Sequence, residues 1–176
     1  MEILAIYDEN KEATGETFVR GEKPERGYYL VAQLILFNSA GQMLIQQRAS
    51  GKERWPDLWD ISCGGAVLAG ETSREAAMRE CREELGLEID LTGQRPRVSV
   101  SFPEGYTDVY LAVRDLDPAK LTLQAEEVQA ARFASESEIR QMIDDGRFFP
   151  YYKSWISYLF ESRGKYGSYD LDRLIQ

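Results

Sequence analysis

Glu80, Glu83 and Glu84 stand three and four residues apart, with Glu71 upstream and Arg74, Arg79 and Arg82 interleaved. If this stretch is helical, the three glutamates share one face, with Cβ atoms roughly 5–6 Å apart. Like charges at that spacing repel, and a bound divalent cation offsets the repulsion directly. Magnesium takes oxygen ligands, commonly one or two carboxylates with waters and phosphate oxygens. The chain has no histidine, so the commonest general base and a frequent transition-metal ligand are absent. Acid, base or metal chemistry must rest on carboxylates, which favours a hard cation, Mg²⁺ or Mn²⁺. Taken alone, Glu-x-x-Glu-Glu reads more readily as a solvated acidic face paired with those three arginines.

The elements that would position these groups can be read around them. Residues 72–85 make the strongest helix. Thr72 is the expected N-cap, Glu75 its capping-box partner, and Gly86 the C-terminal stop. Short strands are expected at 2–7 and 15–20 around a turn at Asp8-Glu9-Asn10. Further strands are expected at Tyr29–Phe37, Gln42–Arg48, 95–102 and 106–113. A loop with basic residues, 50–54, leads into Trp55-Pro56. Ser135 caps a helix running to Asp144. A last helix at about 150–162 gathers Tyr152, Trp155, Ile156, Leu159 and Phe160 on one apolar face. Hairpin strands with few long helices indicate an α+β layered domain.

The whole spacing is more specific than the glutamates alone. From Gly65 there are five residues, then Glu71, seven residues, then Arg79-Glu80-Cys81-Arg82-Glu83-Glu84-Leu85-Gly86-Leu87. This resembles the Nudix box, with Cys81 where Leu or Ile is usual. The resemblance implies an α/β/α sandwich with a mixed central sheet and hydrolysis of a diphosphate by metal-activated water. It implies Glu80, Glu83, Glu84 and the Gly65 carbonyl, on a loop, as metal ligands. Arg79 and Glu71 match the pair that orients them. Glu84 or Glu80 is the expected general base, with Glu126 and Glu127 as candidates from a later loop.

Upstream, Leu36-Phe37-Asn38, Gly41-Gln42, Leu44, Arg48-Ala49, Lys52, Trp55-Pro56 and Trp59 look like type I isopentenyl diphosphate isomerase, which shares the fold. That enzyme's cysteine falls on Gly64, one residue past Cys63, and two of its histidines fall on Ala66 and Tyr29. Its metal site cannot be assembled here, so the isomerase-like branch of Nudix hydrolases is the expected placement. Arg48 and Lys52, with Gly65, are the expected substrate contacts, and Arg54 is a further candidate phosphate contact. Trp55 and Trp59 are expected to pack the loop before the box. Stacking a base or lining a pocket is the alternative for these two rings and the reading for Tyr28 and Tyr106.

Composition sets the remaining bounds. The 176 residues suit one domain: an N-terminal part, 1–27, packed on a Nudix domain at 28–162, with a tail at 163–176. A net charge of −9 argues against broad nucleic-acid binding, and no apolar run has membrane-span length. The N-terminus lacks signal-peptide character, and Cys63 and Cys81 read as buried thiols. A cytoplasmic monomer or homodimer acting on a small diphosphate is the expectation. The leading substrate class is a nucleoside diphosphate derivative or related organic diphosphate. Isopentenyl diphosphate isomerisation and a non-catalytic ligand-binding Nudix module are the alternatives.

Overall fold

The computed structural model describes residues 2–22 and 24–165. In chain order the strands are β1 (Ile3–Tyr7), β2 (Ala13–Val19), β3 (Tyr29–Phe37), β4 (Met43–Arg48), β5 (Trp59–Asp60) and β6 (Cys63–Ala66). Helix α1 (Ser73–Leu85) follows, then β7 (Val98–Phe102), β8 (Gly105–Val113), β9 (Val128–Ala134), α2 (Glu136–Asp144) and α3 (Lys153–Ser162). The fold is α+β, as expected. β1 and β2 pair with each other, and the main sheet runs β5-β4-β3-β8-β7, with β6 on β3 and β9 on β4. The described residues form two compact units, one of residues up to Leu34 with Cys63–Tyr110, the other of Ile35–Ser62 with Leu111 onward.

The first unit carries the box. β3 pairs antiparallel with β6, Ala32 opposite Gly65 and Leu34 opposite Cys63. Gly65 therefore lies on a strand and not on the expected loop. β3 offers a hydrogen-bonding edge to the Gly-Gly pair, which alone carries no strand propensity. α1 packs against β6, burying Ala76, Ala77, Cys81 and Leu85. Thr72 and Glu75 form the expected reciprocal capping box, and Gly86 closes the helix in the left-handed conformation at φ 64°. The N-terminal hairpin joins the box segment through its own backbone: Ala69 donates its N–H to the Ile3 carbonyl at 2.8 Å, and Leu4 bridges Leu68.

In the second unit β4 pairs antiparallel with β5 and along its length with β9. Ser62 ties two strand segments together internally, donating to the Leu44 carbonyl at 2.6 Å and accepting the Leu36 N–H at 2.8 Å. α2 is capped by Ser135, which accepts the Glu138 N–H. α3 starts three residues later than expected. Its apolar face buries Ile156, Leu159 and Phe160, but Tyr152, at the N-cap, is 85% exposed. β5, β6 and β9 were not foreseen. Two of them are four residues or fewer, and β9 reads Val-Gln-Ala-Ala-Arg-Phe-Ala, with little alternation to find. Of the expected tail, residues 166–176 lie outside the described residues.

Candidate active site

Arg79 is the centre of the box. Its guanidinium has five N–H donors, and the structure provides five acceptors. Nε donates to Glu71 Oε1 at 2.8 Å, and Nη2 donates to Glu71 Oε2 at 3.1 Å and to the Ala66 carbonyl at 3.0 Å. Nη1 donates to Glu80 Oε1 at 2.8 Å and to Glu83 Oε2 at 3.0 Å. The fork on Glu71 fixes the plane of the guanidinium, and its other end gathers two helix carboxylates. Burial works against the charge of Arg79, but its hydrogen bonds to Glu71 and the charge of Glu80 outweigh it and hold the group protonated.

Glu71 also shapes the chain before the helix. Its Oε2 accepts the Leu68 N–H at 3.1 Å, and its own N–H donates to the Leu68 carbonyl at 3.0 Å. The turn 68–71, Arg79 and the Ala66 carbonyl at the end of β6 are thereby one hydrogen-bonded assembly.

Of the helix glutamates, Glu80 and Glu84 are buried, and Glu83 has nearly half its side chain exposed. Burial raises the pKa of Glu80. Arg79 pulls it down, Glu83 pushes it up, and Arg20 on the N-terminal hairpin lowers it further. The Glu80 carboxylate lies against the β6 backbone at Gly65. A Cβ there would overlap it, standing 2.8 Å from Oε2 and nearer still to Oε1. The glycine of the box thus admits this close approach, since a side chain there would displace the carboxylate.

Among the described residues, no three Asp, Glu, Cys or His side chains converge into a ready-made metal cage. The donor set still fits a hard cation of the magnesium type. It consists of oxygens only, and the missing Cβ at Gly65 lets the Glu80 carboxylate lie directly against the β6 backbone. An octahedral ion that keeps several waters needs only one or two protein carboxylates.

Cys63 and Cys81 are both buried and free. The Cys63 thiol is pushed up by its hydrogen bond with Cys81 and by burial, so it stays protonated and packs as a small hydrophobe.

Arg48 and Lys52, the expected substrate contacts, belong to the second unit, as does Arg54. Arg48 donates to the carbonyls of Trp55 and Arg54, each at 3.0 Å. It clamps a loop in which Trp55 and Asp57 both take left-handed φ angles, 55° and 62°. Lys52 is ion-paired with Glu127. That pairing gives Glu127 a partner, while Glu126 is exposed. Trp55 does not pack as expected: it is 51% exposed, its ring edge-on to Phe149. Trp59 is half-buried beneath the Arg132 guanidinium. In the first unit Tyr28 and Tyr106 pack edge to face on each other.

Sequence reasoning passed over Asp108, a buried carboxylate on β8 hydrogen-bonded to Ser73 at the start of α1. Its partners Lys11, Ser73 and Ser99 come from three separate stretches of chain, and no local pattern announces them.

The chain belongs to the Nudix family: the NUDIX domain model matches residues 28–162. It is accordingly a hydrolase of a pyrophosphate-type linkage. It is 46% identical over 153 residues to a Nudix hydrolase of Listeria monocytogenes, covering 86% of this chain and 90% of that one. A Nudix hydrolase of Pseudomonas aeruginosa is 36% identical over 155 residues, covering 85% and 86%. Among solved structures, a protein from Deinococcus radiodurans superposes with a TM-score of 0.71 at 29% identity, covering 84% of this chain and 91% of that one. An isopentenyl-diphosphate Delta-isomerase of Salmonella heidelberg is 48% identical, but over 72 residues that cover 40% of each chain.

Proposed function

We propose that this enzyme hydrolyses the diphosphate linkage of a nucleoside diphosphate derivative or related organic diphosphate, with Mg²⁺ (or Mn²⁺) as its cofactor. The observation that carries the reading is the Arg79 assembly. One guanidinium with every donor used gathers Glu71, Glu80 and Glu83 beside the Gly65 backbone. Glu80, Glu83, Glu84 and the Gly65 carbonyl are the groups that would hold the ion. When bound, it would acidify water and neutralise charge on the phosphate oxygens.

The protein groups divide the remaining work. Arg79 and Glu71 orient the carboxylates, and outer partners of this kind fix ligand geometry. Glu80 or Glu84 takes the proton of the attacking water. Burial gives the Glu80 carboxyl more proton affinity than an exposed one, which suits a base. Arg48 and Lys52 remain candidates for contacting substrate phosphate, and either would first have to leave its loop carbonyls or Glu127. The free, buried Cys63 and Cys81 suit a reducing, cytoplasmic compartment.

Isomerisation is disfavoured on this chain's own residues. Histidine is absent, and Cys63 is buried beside Cys81 with a thiol that resists ionisation.

The test is phosphate release from nucleotide sugars, dinucleoside polyphosphates, nucleoside triphosphates and isopentenyl diphosphate, each with Mg²⁺ and with Mn²⁺. Turnover of at least one diphosphate, lost in Glu83→Gln or Glu84→Gln, is expected. Full activity in both variants would falsify the assignment of the site.

A further inference from the structure

Asp108 is 3% exposed, and both its oxygens are occupied. Oδ1 accepts from Lys11 Nζ in the β1–β2 turn and from Ser99 Oγ on β7. Oδ2 accepts from Ser73 Oγ at 2.6 Å, and Ser73 Oγ lies 2.9 Å from the Tyr110 hydroxyl. Lys11 Nζ also donates to Ser99 Oγ at 3.0 Å. A carboxylate this deeply buried is costly unless paired and fully hydrogen-bonded, and Lys11 supplies the charge. Lys11 itself holds a left-handed φ of 64°, a conformation that a non-glycine residue adopts only when its surroundings fix it.

Ser73 is the first residue of α1. Glu80 lies seven residues along the same helix, roughly 10 Å at 1.5 Å per residue. The hairpin that carries Lys11 is also bonded, at Ile3 and Leu4, to residues 68–69 just before the helix. The segment leading from β6 into α1 is therefore held from both sides, by the root of the hairpin and, through Lys11 and Asp108, by its tip. The whole of that hairpin lies outside the residues matched by the family model, which begin at 28.

We propose that Lys11, Asp108 and Ser73 form a positioning relay by which the N-terminal hairpin fixes the start of α1, and so the depth at which Glu80, Glu83 and Glu84 are presented to a divalent cation. Asp108 is its central positioning residue. The inference rests on the reading of those glutamates as the cation site.

The test uses the full chain and Asp108→Asn, Ser73→Ala and Lys11→Met. Mn²⁺ affinity is measured by electron paramagnetic resonance without substrate, and kcat and KM are measured on whichever diphosphate the wild type turns over. Groups hydrogen-bonded directly to metal ligands change affinity or rate about 10–100-fold when removed, and a relay that acts through the helix belongs at the low end of that range. The expectation is a Mn²⁺ affinity weaker by about tenfold and a lower kcat, with KM for substrate little changed. Ser73→Ala and Lys11→Met should be non-additive, because both act through one carboxylate. A purely structural role would lower the melting temperature but leave Mn²⁺ affinity and kcat of the folded fraction unchanged. That result in Ser73→Ala and Lys11→Met overturns the proposal, whether or not Asp108→Asn folds. A wild type that binds Mn²⁺ but cleaves no diphosphate would defeat the hydrolase assignment and leave the relay to be judged on affinity alone. A wild type that binds no Mn²⁺ overturns both.

Discussion

Gly65→Ala isolates the contact on which the site is built. The added methyl group would overlap the Glu80 carboxylate, reaching 2.8 Å from Oε2 and closer to Oε1. The β6 backbone is held in register with β3 through Ala32, so the side chain must give way. Glu80 would rotate out and lose its 2.8 Å hydrogen bond to Arg79 Nη1. A charge-assisted bond of this kind contributes about 1.5–3 kcal/mol. For a protein of this size 1 kcal/mol corresponds to roughly 2–4 °C in Tm, so melting should fall by roughly 3–12 °C and folding should survive. Activity should suffer more, because a displacement of about 1 Å at a reacting centre can cost about 10²-fold, which is about 2.7 kcal/mol. The assays are thermal melting by circular dichroism and diphosphate hydrolysis over a range of Mg²⁺ concentrations. A Gly65→Ala protein with wild-type kcat and wild-type Mg²⁺ dependence would show that Glu80 does not act from this position.

Arg79→Lys keeps the charge but replaces five donors in a plane with three on a point. It cannot span Glu71, Glu80, Glu83 and the Ala66 carbonyl at once. A loss of about 10–100-fold in activity is expected with the fold retained by circular dichroism, and near-wild-type turnover would refute the orienting role. Asp60, in the second unit, predicts a pH effect on stability. Burial raises its carboxyl to about 6 against an ordinary 3.8, opposed by hydrogen bonds from the Ile61 N–H and the Tyr151 hydroxyl and by the charge of Arg48. The unfolded chain ionises near pH 4 while the folded chain keeps its proton to about pH 6. This group's contribution therefore falls as pH rises through that window and is constant above it. At about 1.36 kcal/mol per pKa unit the loss is on the order of 3 kcal/mol. Urea unfolding from pH 4 to 7.5 should show Asp60→Asn gaining on the wild type between pH 4 and 6, then holding its lead. Parallel stability curves would refute it.

Much of the box was legible because its determinants are local. The α1 start at Thr72, its capping box with Glu75 and its stop at Gly86 follow from residues within a few positions of each other. β3 and β4 carry aliphatic runs long enough to be read directly. Gly65 was assigned to a loop because two glycines carry no strand signal. It is a strand residue because β3 offers it a hydrogen-bonding edge. β9 escaped notice for the same reason, its place being set by pairing with β4. Trp55 illustrates the opposite error: a large ring next to proline reads as packing, but the Arg48 clamp on the loop carbonyls leaves it half in solvent.

The sequence by itself determined the chemistry available: oxygen ligands without histidine, four glutamates and an arginine at fixed intervals, and a glycine, Gly65, fifteen residues before Glu80. Helical periodicity and capping are short-range, so they survive in a one-dimensional string. The tertiary structure decided which partner each charge meets. Arg79 could have paired with any neighbouring acid, and only the packing of α1 on β6 brings Glu71 and the Ala66 carbonyl to it. Lys11, Ser73, Ser99 and Asp108 are up to 97 residues apart, and their meeting depends on long-range pairing and burial.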